Sequence, residues 1–172
     1  MALVLWRRIL FETHQGKHAN AVTTILQTRD REELVKRFEA ELKEDVYLKL
    51  FTRPETGLFI PGRECPTCGQ AEQLLKEVCE LSPKLHLEVV DFYQQRGAAA
   101  KLGIDKIPAV LIGDVATGNV RYFGLPSGYE FTVLLGAILA ASKGDSGLKP
   151  VTRQEVQRLT TDVQIQVFVT PT

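Results

Sequence analysis

The feature that most constrains the fold is a pair of thiols, Cys65 and Cys68, placed where a loop is predicted to become a helix. Residues 53–64 contain two prolines and two glycines, which predict a loop, whereas residues 66–80 have helical periodicity. A helix N-terminus carries unpaired N–H groups and about half a positive charge, so it favours a thiolate over a thiol. We expect Cys65 at the N-cap and Pro66 at the first helical position, where its missing N–H costs nothing. The expected position of Cys65 at a helix N-terminus therefore predicts that the dithiol is reactive.

The same Cys-x-x-Cys spacing supplies half of a zinc site, so metal binding is the first alternative. Other side chains that could ligate a metal are scattered along the chain: His14, His18, Cys79 and His86. None forms a second close pair near the dithiol, which disfavours a zinc site within one chain. Zinc or an iron–sulfur cluster shared by the dithiols of two chains stays open. Cys79 itself is predicted to be a small apolar helix residue that faces the core.

Composition limits the chain to one substantial core, because 172 residues with 44% hydrophobic content are too few for two complete domains. Twenty-one basic residues balance twenty-one acidic ones without long runs of either sign, which gives no argument for nucleic acid or a membrane surface. The apolar start, 1–11, is interrupted by Arg7 and Arg8 and lacks a signal-peptide cleavage site. Three cysteines are too few for a disulfide scaffold. We therefore predict a cytoplasmic protein.

Periodicity and turn residues predict an alternation of strands and helices. The predicted elements are a helix capped by Asp30, strand Val46–Thr52, helix Pro66–Glu80, strand Leu85–Phe92, helix Gln94–Leu102, strand Ala109–Ile112, strand Val120–Phe123 and helix Tyr129–Ser142. Strand, helix, strand in succession predicts a right-handed crossover with parallel pairing. The short connection between the last two strands predicts an antiparallel hairpin.

Three regions follow from this pattern. Residues 1–28 are predicted to be an N-terminal arm and residues 29–142 the folded domain. Residues 143–172 are predicted to contain a linker, a short helix and a strand. Thr152 and Glu155 form a candidate capping box for that helix, and alternating apolar residues predict the strand at 162–170.

The β-α-β-α-β-β-α order, with the dithiol after the first strand and Ile107-Pro108 before the third, resembles the thioredoxin fold. The predicted class is α/β, with a central mixed four-stranded sheet flanked by helices, an extra N-terminal helix and an additional C-terminal strand. The resemblance implies that the Ile107–Pro108 peptide is cis and that its backbone lies beside the dithiol, where it pairs with an extended substrate segment. The alternative is an ordinary trans proline at the start of an edge strand.

The resemblance also implies a mechanism. Cys65 would attack a substrate disulfide as thiolate, and Cys68, one turn further in, would resolve the mixed disulfide. No cofactor is implied beyond the redox-active Cys65–Cys68 disulfide. The residues implied to bind substrate are Pro66, Thr67, Ile107 and Pro108.

Four segments carry a closer resemblance: 89–92 (VVDF), 103–108 (GIDKIP), 120–131 (VRYFGLPSGYEF) and 167–172 (VFVTPT). They resemble the protein disulfide oxidoreductases, or glutaredoxin-like proteins, of thermophilic prokaryotes. Chains of that family contain two fused thioredoxin-fold units, each with its own Cys-x-x-Cys, and residues 30–172 resemble the N-terminal unit. The resemblance implies protein disulfides as substrates and an electron donor of the thioredoxin reductase type.

The chain departs from the family in two ways. It stops where the second unit would continue, so the strand at 162–170 should add to its own sheet or to that of a second copy, giving a homodimer. The loop before the dithiol is also longer than usual, and Leu58, Phe59 and Ile60 either line a hydrophobic substrate surface or pack on the core. The rival function is a non-catalytic interaction or assembly module.

Overall fold

The computed structural model describes residues 24–53, 61–113 and 120–168. The helices are α1 (Thr28–Glu41), α2 (Cys68–Cys79), α3 (Arg96–Lys101), α4 (Tyr129–Lys143) and α5 (Pro150–Gln157). The strands are β1 (Val46–Thr52), β2 (Leu85–Asp91), β3 (Ala109–Ile112) and β4 (Val120–Phe123). None of the helices in these ranges is long and apolar enough to cross a lipid bilayer.

The four strands form one mixed sheet in the order β2-β1-β3-β4. Strands β1 and β2 run parallel, with Thr52 opposite Asp91, whereas β3 is antiparallel to both β1 and β4. The predicted parallel pairing, antiparallel hairpin and mixed four-stranded sheet are therefore confirmed. Because β3 runs opposite to β1, its first residue, Ala109, pairs with Phe51 near the end of β1. The last residues of β1, β2 and β4 and the first residue of β3 therefore lie at the same end of the sheet.

Each face of the sheet buries its own set of side chains, because successive residues of a strand point to opposite faces. In β3, Val110 and Ile112 join the larger cluster with helices α1, α2 and α4, while Ala109 and Leu111 join the smaller one. Phe51 of β1 also lies in the smaller cluster, with Ala99 of α3. Covering on both faces explains why all four residues of β3 are buried.

Two helix starts differ from the prediction. Helix α1 begins at Thr28 with Gln27 at the N-cap, so Asp30 lies in its first turn instead of capping it. Helix α5 begins at Pro150, and its N-cap, Lys149, makes no side-chain capping hydrogen bond. The prediction of a capping box formed by Thr152 and Glu155 is therefore wrong. Proline fits the first turn because its fixed φ suits a helix and its missing N–H would have no intrahelical partner there, which moves the start ahead of Thr152.

The additional C-terminal strand is wrong for residues 162–168, which form no strand and pair with none of the strands described above. Their apolar side chains are exposed, with 81% of Ile165 and 89% of Phe168 accessible. Alternating apolar residues fit a strand that is buried on one face of a sheet. They form a strand only where another strand is available to pair with them. The last predicted strand residues, 169–170, lie outside the described ranges.

Glu77, in α2, ties the segment before α1 to the core. Its carboxylate accepts the backbone N–H groups of Ile25 and Leu26 at 2.9 and 2.8 Å and the side-chain amide of Gln73 at 3.0 Å. Arg31 Nη1 lies 3.7 Å away. Burial alone raises the pKa of Glu77, but these hydrogen bonds and the Arg31 charge outweigh it, so the net pKa lies below its ordinary value. Leu26, assigned above to the arm, is buried in the larger cluster.

Ser142 joins the end of α4 to the segment before β1. Its Oγ accepts the backbone N–H groups of Lys43 and Glu44 at 2.8 and 3.0 Å and donates to the Glu44 carbonyl at 2.7 Å. We expect Ser142→Ala to lower the free energy of unfolding by about 2 kcal/mol, because the Lys43 N–H loses its acceptor, the Glu44 N–H keeps only the Ser142 carbonyl at 3.3 Å, and the Glu44 carbonyl loses a donor. Urea unfolding measures this, with exposed Ser146→Ala as the control expected to stay within about 0.5 kcal/mol of the parent. Equal effects of both variants would refute the assignment.

Candidate active site

Cys65 and Cys68 are joined in a disulfide, with their Cα atoms 5.4 Å apart. Cys65 is not the N-cap: Thr67 occupies that position and Cys68 is the first residue of α2. The prediction of Cys65 at the N-cap and Pro66 at the first helical position is therefore wrong. The reason lies in the hydrogen bonds, since the Cys68 N–H donates to the Cys65 carbonyl in a tight i→i+3 turn at 3.3 Å. Regular helical bonding begins only with Ala71 N–H to the Thr67 carbonyl at 2.9 Å.

The two thiol positions differ in accessibility. Cys65 is half-buried, whereas only 2% of Cys68 is exposed. A second sulfur atom approaching from solvent can therefore reach Cys65 but not Cys68. Within one tight turn, Cys65 therefore provides the accessible sulfur and Cys68 the protected one.

The helix N-terminus next to Cys65 keeps its positive potential. Thr67 makes no side-chain capping hydrogen bond, and the first turn of α2 contains no acidic residue. Neither a side-chain cap nor a carboxylate thus offsets the partial positive charge of the first-turn N–H groups. This end of α2 is therefore suited to an anionic group.

Ile107 and Pro108 lie at the same end of the sheet as the dithiol. Their peptide bond is cis, the form implied by the family resemblance, and Pro108 immediately precedes β3. The Pro108 carbonyl accepts the Gly124 N–H at 2.8 Å, which joins the end of β4 to this position. Ile107 is half-buried against the smaller cluster and Pro108 is buried. The predicted contacts of Pro66, Thr67, Ile107 and Pro108 with substrate stay predictions.

A groove of about 610 Å³ lies beside α2, and sequence reasoning missed it. Its walls come from three separate segments: Ile25 and Leu26, then Gln70, Gln73 and Leu74 of α2, then 125–128 with Phe131. No local pattern connects segments so far apart in the chain. Only one sequence feature noted above includes residues that line the groove. It is the segment 120–131, which was noted for its family resemblance. Leu58, Phe59 and Ile60, the predicted hydrophobic surface, lie outside the described residues.

The third thiol, Cys79, ends α2 and packs against the larger cluster, which confirms the prediction that it faces the core. Burial, with a smaller contribution from the negative charge of Glu80, raises the pKa of the Cys79 thiol to about 12. Cys79 is therefore protonated at neutral pH and is a poor nucleophile.

In the described parts of the chain, no three side chains of His, Cys, Asp or Glu converge to hold a metal ion. His86 instead lies 3.1 Å from the Asp45 carboxylate and stacks on Tyr47 with ring centroids 4.8 Å apart. A metal shared between two chains stays a prediction.

Comparison with known proteins shows which proteins the chain resembles. Residues 58–136 match the family model described as a thioredoxin domain. A protein disulfide oxidoreductase from Aeropyrum pernix is similar in structure, with a TM-score of 0.64 and 25% sequence identity over 77% of this chain. The alkylhydroperoxide reductase component AhpF from Enterococcus faecalis, with a TM-score of 0.63 and 23% identity over 78% of this chain, shares the fold. No curated protein sequence matches the chain.

The chain is shorter than these structures. It spans 55% of the Aeropyrum pernix protein and 61% of the Enterococcus faecalis one. The family match includes the dithiol, the Ile107–Pro108 peptide and part of α4, so it covers the residues that form the candidate site.

Proposed function

From the premise that this chain contains a thioredoxin domain and has the thioredoxin fold, we propose that it is a thiol–disulfide oxidoreductase acting on protein disulfides. The observation that carries the proposal is the asymmetry of the dithiol. An accessible Cys65 lies next to an uncapped helix N-terminus, and its disulfide partner Cys68 is buried. A sulfur that attacks and a sulfur that stays protected until the attack is complete are what disulfide exchange requires.

In the proposed mechanism the reduced Cys65 thiolate attacks one sulfur of a substrate disulfide. A bond forms between Cys65 Sγ and that sulfur, and the other substrate sulfur leaves as a thiolate that takes up a proton. Cys68 then loses its proton and attacks Cys65 Sγ, which releases the second substrate thiol and forms the Cys65–Cys68 disulfide. Two electrons pass from the dithiol to the substrate. Run in reverse, the same steps oxidise a substrate dithiol.

The surrounding residues have defined roles in this proposal. Pro66 and Thr67 shape the turn that presents Cys65, and the Ile107–Pro108 backbone lines the opposite side of the approach to it. A dithiol electron donor, proposed to be of the thioredoxin reductase type, returns the oxidised pair to its reduced form. A cytoplasmic location and a homodimer through 162–170 also belong to the proposal.

The proposal is tested with the parent protein in two measurements. Insulin reduction with dithiothreitol as terminal reductant should be faster with the protein than without it. Equilibration in glutathione buffers, followed by alkylation and mass measurement, should show the Cys65–Cys68 pair opening and closing reversibly. Insulin reduction at the uncatalysed rate, with a disulfide that does not respond to the buffers, would refute the proposal.

A second candidate is a non-catalytic interaction module, which is favoured by the exposed apolar side chains in 162–168, such as Ile165 and Phe168. The pKa of Cys65 separates the two candidates. A catalytic thiol should titrate between about 3.5 and 7.5, whereas a module would keep an ordinary value near 8.5. Thiolate absorbance of the reduced protein, recorded as a function of pH, measures this directly.

A further inference from the structure

An aromatic pair follows β2, at the end of the sheet where the dithiol lies. Phe92 and Tyr93 pack edge to face with ring centroids 5.3 Å apart. The Asp91 carboxylate fixes the turn by accepting the backbone N–H of Tyr93 at 2.8 Å, with the N–H of Gln94 at 3.2 Å. Because β1 and β2 are parallel and adjacent, this turn lies beside the end of β1, where the Phe92 N–H donates to the Thr52 carbonyl at 2.9 Å.

Two arginines are held against this pair. Arg63 Cζ lies 4.7 Å from the Tyr93 ring centroid, and Arg96 Cζ lies 5.3 Å from Tyr93 and 5.8 Å from Phe92. We call Arg63, Phe92, Tyr93 and Arg96 the arginine–aromatic cluster. Arg63 precedes Cys65 by two residues, so their Cα atoms are at most about 7 Å apart. The backbone of Arg63 is therefore close to that of the accessible Cys65.

Neither Arg63 nor Arg96 forms an ion pair within 4.0 Å with any described residue. The nearby carboxylates are engaged with backbone, Asp91 as described above and Glu64 through the Gly62 N–H at 3.4 Å. Both guanidinium groups are thus within 5.3 Å of one ring, and both arginines are exposed. The cluster therefore places two positive charges close to one ring, near the negative charges of Asp91 and Glu64, in a chain of zero net charge.

Stacked guanidinium groups are well suited to binding carboxylates. Stacking uses the face of the group and leaves its N–H donors, which lie in its plane, available for a two-point hydrogen bond. The aromatic rings also restrict the side chain, which reduces the entropy lost when a ligand binds. Two such groups close together repel each other, and an incoming anion relieves that repulsion.

We propose that the arginine–aromatic cluster selects protein partners that carry an Asp or Glu side chain within a few residues of the disulfide presented to Cys65. This inference rests on the proposed function and names the class of substrate. The carboxylate binds Arg63 and Arg96 while the neighbouring disulfide reaches Cys65. The benefit lies mainly in the rate of productive encounter, which falls as salt screens the charges.

The test uses three disulfide peptides of matched length whose flanking residues are acidic, neutral or basic. The parent protein should reduce the acidic peptide with a kcat/KM about tenfold above that of the basic one at low salt. The difference should shrink when the ionic strength rises from about 0.02 M to about 0.5 M. This part of the test needs no variant.

Variants then assign the effect to the cluster. The double variant Arg63→Gln and Arg96→Gln should lose about tenfold on the acidic peptide and less than about twofold on the neutral one. The double variant Arg153→Gln and Arg158→Gln, which also removes two positive charges but from exposed positions in α5 and at its C-terminal end, is the matched control and should change neither value. The lysine double variant, which keeps the charges without the planar donors, should fall between parent and glutamine variant.

The outcomes separate this inference from the function on which it rests. Equal reduction of all three peptides by the parent protein overturns acidic selection while the oxidoreductase function stands. Equal losses on all peptides in the glutamine variant, together with a raised pKa of Cys65, also overturn it, because the arginines would then act on the thiolate. Failure of the parent protein to reduce any peptide overturns both proposals.

Discussion

Replacing Cys65 with serine is expected to abolish disulfide reduction, lowering the rate of insulin reduction by about 1,000-fold or more. The hydroxyl of serine is not ionised near neutral pH and cannot form the mixed disulfide, so the first exchange step is lost. The buried Cys68 cannot substitute for it, because only 2% of its surface is accessible to a second sulfur. Steady-state turbidity assays with the reduced variant measure the effect.

The variant Cys68→Ser should behave differently, because Cys65 still attacks but nothing resolves the intermediate. We expect covalent complexes between Cys65 and substrate proteins that persist on non-reducing gels and disappear on addition of dithiothreitol. Cys79→Ala is the matched control: it removes a thiol from the same helix and should leave the rate within about twofold of the parent. Wild-type activity in Cys65→Ser would refute the assignment of the nucleophile.

Replacing Glu77 with alanine is expected to lower the free energy of unfolding by about 3 kcal/mol. The carboxylate is 7% exposed and accepts backbone N–H groups from Ile25 and Leu26. Its removal leaves these donors without their acceptor and releases Leu26 from the larger cluster. Urea unfolding measures the loss, and Glu77→Gln, which keeps one acceptor oxygen, should lose less.

The contribution of Glu77 to the free energy of unfolding should decrease at acidic pH. Because its pKa is lowered in the folded protein, its stabilising contribution is fully present above the unfolded value of about 4.5. The contribution is lost as the pH falls through the lower, folded value. The difference in unfolding free energy between parent and Glu77→Ala should therefore be constant from pH 7 to about 5 and shrink below about pH 4.5.

Glu72→Ala serves as the control for this series, because it removes a carboxylate from the same helix that pairs with Lys76 one turn away. Its expected cost is about 0.5 kcal/mol. A Glu77→Ala loss no larger than that of Glu72→Ala would show that the contacts with Ile25 and Leu26 contribute little to stability.

Most of the fold follows from the sequence because its strands are short apolar runs with clear turn residues between them. The bounds of Val46–Thr52, Ala109–Ile112 and Val120–Phe123 agree with the prediction residue for residue. Burial on both faces leaves the run Ala109–Ile112 little freedom to be anything else. The placement of Ile107-Pro108 at the dithiol end follows once β3 is recognised as antiparallel to β1.

The remaining features depend on contacts that no local pattern encodes. Periodicity predicts too early a start for α2, because a tight turn from Cys65 to Cys68 precedes regular helical bonding. Residues 162–168 have the alternation of a strand, but no described strand pairs with them. The arginine–aromatic cluster joins Arg63 to Tyr93 across thirty residues, and Glu77 meets Leu26 across fifty-one. Such pairs appear only when the chain has folded.

The burial of Cys79 limits the number of different intramolecular disulfides that the protein can form. Three cysteines permit three different intramolecular disulfides, but two of these would use Cys79. That residue lies eleven positions beyond Cys68 on one straight helix, about 16 Å away along its axis, and its thiol stays protonated at neutral pH. Oxidation of a single chain therefore has one intramolecular product, the Cys65–Cys68 disulfide.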